Sequence, residues 1–434
     1  MNARRTAFDV LRQVTAEDSY ANLALAKRLA TAGLDARDAG LVTELVAGTC
    51  RSMGTYDAIL EEAAGRKLSS LQPAVVDLLR LGAHQILGMR LKKYAAVGAT
   101  VDLARATVGQ RVTGVVNAVL RKVAARDLDG WLDLLAEGED RIGALAVRGR
   151  HPHWIVEAYA EVLPADELEA ALTANNVSPQ PTLVVRPGLA DLGDLDGATP
   201  TRFSPFGATV AGSPADQEAV RQGRVGVQDE GSQLVAWALA RTPAPEGPWL
   251  DTCAGPGGKA ALLTGLAREA GTWLLASEAQ EHRARLVRQA LAGYPDGAAV
   301  IAADGTAPAW DRAFARVMVD VPCSGLGALR RRPESRWRRS PADVAALGQL
   351  QRDLLRRAID STVDGGVVAY VTCSPHRAET VDVVDDVLAE RPQARRLHAP
   401  DALPDVPDCS LGDDVQLWTH RHGTDAMYMS LIRC

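Results

Sequence analysis

Two cysteines in the C-terminal part of the chain stand where short apolar runs give way to polar residues. Asp320-Val321-Pro322-Cys323-Ser324-Gly325 closes the run ARVMVDVPC, and Thr372-Cys373-Ser374 closes GGVVAYVTCS. A cysteine kept only as a small buried hydrophobe is expected inside such a run, not at its mouth. With an acid beside one of them, the pair points to covalent catalysis by a thiolate. Substitution at carbon 5 of a cytosine needs such a set, because that carbon is a poor nucleophile. A thiolate adding at carbon 6 turns the ring into an enamine, whose carbon 5 can attack a methylsulfonium. Asp320 is placed to hydrogen-bond the base near N3 and its amino group and to stabilise added positive charge. A base then removes the carbon 5 proton and the thiol leaves, an elimination that a second cysteine can assist.

Upstream, the run PWLDTCA ends in DTCAGPGGKA. Gly255, Gly257 and Gly258 let the backbone turn sharply and approach a ligand closely. The helix that follows offers its N-terminus to a carboxylate or phosphate. The spacing is not GxGxxG, and no Lys-Ser or Lys-Thr follows Gly258, so neither a dinucleotide fingerprint nor a P-loop fits. The next run, TWLLASE, ends at Glu278, about 20 residues on, where an acid can hydrogen-bond a ribose diol. The run AAVIAADG brings Asp304 to a place where it can meet an adenine. Taken singly, the loop could be a tight turn and each acid a helix cap. Taken in order, they describe an adenosine-type cofactor without triphosphate machinery.

These residues need strand ends to carry them. From 241 to 434 apolar runs alternate with helical segments such as KAALLTGLAREA, EHRARLVRQALAG, PADVAALGQLQRDLLRRAIDS and AETVDVVDDVLAE. That alternation predicts an α/β domain, a doubly wound Rossmann-like sheet with helices on both faces, and DAMYMSLIR reads as its last strand. Residues 1–125 read as all-helical, with Ala7, Val10, Leu11 and Val14 at helical spacing and Pro73 near a helix start. His84 and Cys50 there read as structural. Residues 126–240 form a small mixed α/β region with the strand TLVVRP and many Pro and Gly. The 434 residues are consistent with about three domains.

The six cysteines show no CxxC pairing, so no metal site or disulfide framework is expected. No stretch approaches the ~18 to 20 apolar residues of a membrane span. Asp9 and Arg12 interrupt any export signal after Arg4 and Arg5, so a cytoplasmic protein is expected, and a monomer. The net charge is −6 and the pI about 5.8, which argues against a generic nucleic-acid binder. Positive charge is local instead. LRRRPESRWRRS brings together Arg330, Arg331, Arg332, Arg336, Arg338 and Arg339 shortly after the Pro-Cys motif, and these are expected to grip RNA phosphates.

DTCAGPGGK, VDVPCSG, RWRRSP and YVTCS together resemble the RNA 5-methylcytosine methyltransferases of the RsmB (Sun, Fmu) type. VQDEGSQLVA and ALTANNVSPQPTLVV extend the likeness upstream, and TGVVNAVLRKV resembles the family's NusB-like helical domain, so nearly the whole chain is covered. The resemblance implies S-adenosylmethionine as cofactor and small-subunit ribosomal RNA as substrate. It implies Cys373 as nucleophile and Cys323 as the residue assisting product release. It also implies that Cys253, Ala254, Gly255, Pro256, Gly257, Gly258, Lys259, Glu278, Asp304 and Asp320 line the cofactor and base pocket. The chain departs from the family pattern in three places. Gly255 stands where Ala is usual, Glu278 where Asp is usual, and Thr380 follows Glu379 where Asn is common.

Two rival readings stand beside this one. A DNA cytosine methyltransferase would use the Pro-Cys cysteine as nucleophile and leave Cys373 without a role. A non-catalytic RNA-binding or ribosome assembly factor would need neither cysteine nor the cofactor residues.

Overall fold

The computed structural model describes residues 3–17, 19–307 and 310–434. They fall into two compact units, Met1–Val177 with Leu329–Arg339, and Ser178–Ala328 with Ser340–Cys434. The middle region, expected to stand apart as 126–240, is divided between them. Trp131 packs into the helical core of the first unit, whereas Val184 and Phe203 pack into the core of the second.

The first unit is built of α1 (Ala3–Ala16), α2 (Ala21–Ala32), α3 (Ala36–Arg51), α4 (Met53–Ala64), α5 (Pro73–Leu87), α6 (Lys93–Thr107), α7 (Thr113–Val123), α8 (Leu128–Leu135), α9 (Arg141–Gly149), α10 (His153–Ala160) and α11 (Leu168–Ala174). Ala7, Val10, Leu11 and Val14 form the buried stripe of α1. Pro73 opens α5, where its missing N–H costs nothing. Cys50 is wholly buried, and the ring of buried His84 bonds the Tyr56 hydroxyl at 3.0 Å. Both are structural.

The second unit opens with a small antiparallel sheet of β1 (Thr182–Val185), β2 (Thr199–Pro200), β3 (Gly207–Thr209) and, after the short α12 (Glu218–Arg221), β4 (Val225–Val227), in the order β2-β3-β1-β4. Helix α13 (Glu230–Arg241) leads into the alternating part. There follow β5 (Trp249–Asp251), α14 (Gly258–Glu269), β6 (Leu274–Glu278), α15 (Glu281–Ala290), β7 (Ala298–Ala302) and β8 (Phe314–Asp320). After the one-turn α16 (Ser335–Arg338) come α17 (Pro341–Ser361), β9 (Thr362–Thr372), α18 (Val381–Ala389), β10 (Arg395–Arg396), β11 (Ser410–Leu411), β12 (Asp414–Gln416), α19 (Thr419–His422) and β13 (Tyr428–Arg433). The large sheet runs β11-β12-β13-β9-β8-β5-β6-β7, with β10 paired to β13. Strands β5 to β9 are mutually parallel where they pair, and β13 returns antiparallel along β9. This is the doubly wound Rossmann-like sheet expected of the alternating runs.

Helix α16 belongs to the first unit, as part of Leu329–Arg339. This corrects the expected use of two arginines. Arg336 is wholly buried; its guanidinium donates to the carbonyls of Arg150 (3.1 Å) and Asn175 (3.0 Å) and to Asn176 Oδ1 (2.7 Å). Arg150 and Asn175 are the C-caps of α9 and α11, so Arg336 serves carbonyls that a helix end leaves without partners. Burial, with Arg51 and Arg150 nearby, pushes its pKa down to about 9, still charged at neutral pH. Arg338 donates to the carbonyls of Val14 and Ser19. Neither guanidinium is presented to a phosphate. Trp337 between them bonds the Cys50 carbonyl at 3.0 Å, and its ring fills the space a Cβ on Gly54 would need. Arg331 and Arg332 are exposed, Arg332 lying over the Tyr20 ring, while Arg330 and Arg339 are half-buried.

Candidate active site

Strands β5 and β8 are neighbours in the sheet but far apart in sequence, because the chain moves outward from β5 to β6 and β7 before returning to β8. In open α/β sheets, ligands bind beyond the strand carboxyl ends at such a reversal. The second unit gathers its chemistry there.

The cysteines meet at the ends of β8 and β9. Asp320 pairs with Val371 in register, and a few residues further on Cys323 and Cys373 bring their sulfurs to 3.4 Å. The two loops are cross-braced. Buried Glu379 accepts from Ser324 N (2.7 Å), Ser324 Oγ (2.5 Å) and Gln351 Nε2 (3.3 Å). Gln351 also donates to the Pro322 carbonyl at 2.9 Å. Ser324 and Ser374 share a hydroxyl bond at 3.2 Å, and Gly327 N donates to the Cys373 carbonyl at 2.8 Å. The hydrogen bond to Cys373, burial, and the charge of Cys373 raise the Cys323 pKa well above the ordinary thiol value.

Beside them Lys259 Nζ bonds Asp320 Oδ2 at 2.8 Å. Burial alone would lower the Lys259 pKa, but the charge and hydrogen bond of Asp320, with the charge of Cys373, more than offset it, and the net shift is upward. Asp251, at the end of β5, is wholly enclosed. Burial, and then the negative charge of Asp320, push its pKa up to about 7. Its Oδ1 accepts from Cys253 N at 3.3 Å, and its Oδ2 has no protein partner. Cys253 is half-buried against an apolar cluster, and burial, then Asp251, raise its pKa; it is not an activated thiol.

The glycine loop runs from β5 into α14, with Gly257 in the left-handed region at φ 112° and no side chain capping the helix. A Cβ on Gly257 would strike α15 at Ala290. Glu278 is buried; its Oε2 accepts from Gly255 N (3.1 Å) and its Oε1 from Gln280 N (3.1 Å). Arg283 lies 3.4 Å from the same carboxylate and donates to the Gly255 carbonyl at 2.7 Å. A Cβ on residue 255 would overlap Glu278 Oε2. The two departures from the family pattern thus meet in space. The longer acid reaches the place where alanine would carry its methyl. Asp304 is exposed, and two bonds from Thr306, first its N–H and then its hydroxyl, hold the carboxyl below the usual carboxylate range.

Asp251, Gln351 and Glu379 were not singled out as chemistry from the sequence, though Asp251 opens the motif DTCAGPGGK and Glu379 lies shortly after YVTCS. Gln228, within VQDEGSQ, is a fourth. It is buried, with both side-chain polar atoms unpartnered, and packs over Gly258. Together with the open α14 N-terminus, it suits a ligand that carries charged donor and acceptor groups at one end. Among the described residues no cluster of His, Cys, Asp and Glu could hold a metal ion, and no helix is long and apolar enough to cross a membrane.

Residues 238–433 match the family described as 16S rRNA methyltransferase RsmB/F, and residues 1–125 match the NusB family. The chain is 47% identical to a Mycobacterium tuberculosis protein named as a methyltransferase, over 99% of this chain and 96% of that one. It is 32% identical to the ribosomal RNA small subunit methyltransferase B of Pseudomonas putida, over 92% of this chain and 91% of that one. Among solved structures it is similar to PH0851, with a TM-score of 0.82 and 20% identity over 100% of this chain and 98% of that one. It is also similar to NSun6 from Pyrococcus horikoshii with SFG, with a TM-score of 0.54 and 15% identity over 65% of this chain and 98% of that one. At these identities the structural likeness shows the fold.

Two predictions follow from the geometry. Gly255→Ala alone should destabilise the protein by roughly 1 to 3 kcal/mol through overpacking. Adding Glu278→Asp should restore much of that loss, with a coupling of about 1 to 2 kcal/mol in a urea-unfolding double-mutant cycle. Strictly additive losses would show the two positions to be independent. Asp251 should make stability depend on pH. Its carboxyl is protonated more readily in the folded protein than at its ordinary value of 3.8, so its contribution is full below that value and is lost as pH rises through about 7. The loss amounts to roughly 4 kcal/mol. Asp251→Asn has no such dependence, so the stability of the variant relative to the wild type should rise between about pH 4 and pH 8. Parallel stability curves across that range would refute the role of burial.

Proposed function

This chain belongs to the RsmB/F family of 16S rRNA methyltransferases, and from that premise we propose that it methylates carbon 5 of a cytosine in small-subunit ribosomal RNA through a covalent cysteine adduct. It is an S-adenosylmethionine-dependent methyltransferase. The observation that carries the finer reading is the pair of sulfurs 3.4 Å apart at the mouths of adjacent strands. A DNA-type enzyme, with its nucleophile in the Pro-Cys motif, would leave Cys373 without a role.

Bound S-adenosylmethionine supplies a methyl group on a positively charged sulfur. The protein's own groups do the rest. Cys373 adds to carbon 6 of the ring, which gives carbon 5 the electrons to take up the methyl group. Asp320, held by Lys259, faces the base edge and stabilises positive charge there. Loss of the carbon 5 proton to a base returns the electrons to the ring and expels the Cys373 thiolate, which Cys323 assists with its proton. Residues Cys253 to Lys259 cradle the cofactor, Glu278 addresses its ribose and Asp304 its adenine. An RNA substrate of this kind places the enzyme in the cytoplasm.

For RNA contact, exposed Arg331 and Arg332 remain the candidates from the arginine run. A groove of about 560 Å³ in the first unit, lined by Lys93, Tyr94, Asn117 and Arg121 among others, supports the same reading, because Tyr94 is 74% exposed between cations.

Cys373→Ala should abolish methylation while keeping the fold. Cys323→Ala should trap an RNA adduct, visible as a shifted band on denaturing electrophoresis. An adduct in Cys373→Ala and none in Cys323→Ala would reverse the two roles and favour the Pro-Cys nucleophile. The arginines should separate by role. Replacing Arg331 and Arg332 with Ala should flatten the salt dependence of RNA binding by about 0.7 per lost phosphate contact at unchanged melting temperature. Arg336→Ala should lower the melting temperature and leave the salt slope unaltered. An unaltered slope in the Arg331 and Arg332 variant would exclude them as phosphate contacts.

A further inference from the structure

Gln228 is the least satisfied polar side chain near the cofactor loop. It is 8% exposed, and neither its Nε2 nor its Oε1 has a protein partner. Its position is imposed by its backbone. Gln228 N donates to the Thr182 carbonyl at 2.9 Å, and its own carbonyl accepts from Gln233 Nε2 at 2.9 Å. The amide thus lies over the first residue of α14. A Cβ on Gly258 would sit 3.7 Å from Gln228 Cδ and 3.8 Å from Oε1. Buried polar groups are kept where something answers them.

The order of the strands says which end of the cofactor reaches this place. Tips β7, β6 and β5 stand side by side in the sheet. With the adenine at Asp304 and the ribose at Glu278, the molecule runs along that row toward β5 and α14. Its far end is an amino acid, with an ammonium and a carboxylate on one carbon. A carboxamide has one donor group and one acceptor, which suits that pair. The uncapped α14 N-terminus favours the carboxylate.

We propose that Gln228 binds the amino-acid end of S-adenosylmethionine, with Nε2 donating to the α-carboxylate and Oε1 accepting from the α-ammonium. The proposal rests on the reading of Glu278 and Asp304 as the ribose and adenine contacts.

Calorimetric titration of the full chain with two ligands tests it. S-Adenosylhomocysteine carries the amino-acid end, and 5′-methylthioadenosine lacks it. Gln228→Leu should weaken S-adenosylhomocysteine binding roughly hundred-fold or more, as expected for two hydrogen bonds to charged groups. It should leave methylthioadenosine within about twofold of the wild type. Gln228→Met, closer in shape, should behave the same way and guards against misfolding of the first variant, with melting temperature followed for both. Equal weakening of both ligands would make Gln228 a structural residue and overturn the proposal. Unchanged affinity for both would leave its amide to water and overturn it equally. Asp304→Ala separates the underlying reading, since it should weaken both ligands alike; if it weakens neither, the adenosine lies elsewhere and the strand-order argument falls with it.

Discussion

The parallel pairing of β8 with β9 sets Asp320 opposite Val371, and the geometry of the two cysteines descends from that register. It brings two loops of separate origin to the same height on the sheet, so that two sulfurs can touch. Register alone does not hold loops. Glu379, buried behind them, takes hydrogen bonds from Ser324 and Gln351, and Gln351 in turn grips the Pro322 carbonyl. Gly327 completes the brace. Its N–H bonds the Cys373 carbonyl and its carbonyl accepts from Ala426 N, an approach so close that a Cβ there would overlap the Ala426 carbonyl. The thiols are thus placed by backbone bonds on both sides.

The same site carries an electrostatic cost. Asp251, Glu278 and Asp320 lie within electrostatic reach of one another, with Lys259 as the paired cation. Enclosing an acid beside other acids raises its pKa, and Asp251 bears that burden most. A protein selected only for stability would place an apolar residue there. For an enzyme whose cofactor brings a positive sulfur, a pocket rich in negative charge favours the charged cofactor over its neutral product. Strain of this kind at a functional site is expected, and it is tolerated because the surrounding sheet is deeply packed.

What could be read from the chain alone was what ends a run. The apolar stretches that became β5, β6, β8 and β9 each close on a residue to which a chemical role is proposed, and period and punctuation were enough to place the strands. The features that escaped depend on distance through space. Gln228, Asp251 and Glu379 are ordinary polar letters in the sequence, and only burial without, or with, partners gives them meaning. Gly255 and Glu278 could be seen as separate departures from the family pattern, but not as residues that meet in space. The arginine run misled for a related reason. Composition reports charge, not exposure, and a cluster of arginines reads as a surface patch whether or not helix carbonyls are waiting for it.

Those carbonyls belong to Val14, Ser19, Arg150 and Asn175, far from Arg336 and Arg338 in sequence. Trp337 likewise donates to the Cys50 carbonyl, and Glu334 accepts from the Ala21 N–H. The segment Leu329–Arg339 is therefore part of the helical unit's own structure, although the residues on either side of it belong to the sheet unit. Without it, α9 and α11 would have buried C-terminal carbonyls with no donor, and the pocket over Gly54 would lack its ring. Without the helical unit, a buried-type arginine and tryptophan would be left in water. A helical domain attached only through its sequence neighbours could be lost or exchanged at little cost. One that takes its capping groups from a segment following the Pro-Cys motif in the sequence cannot.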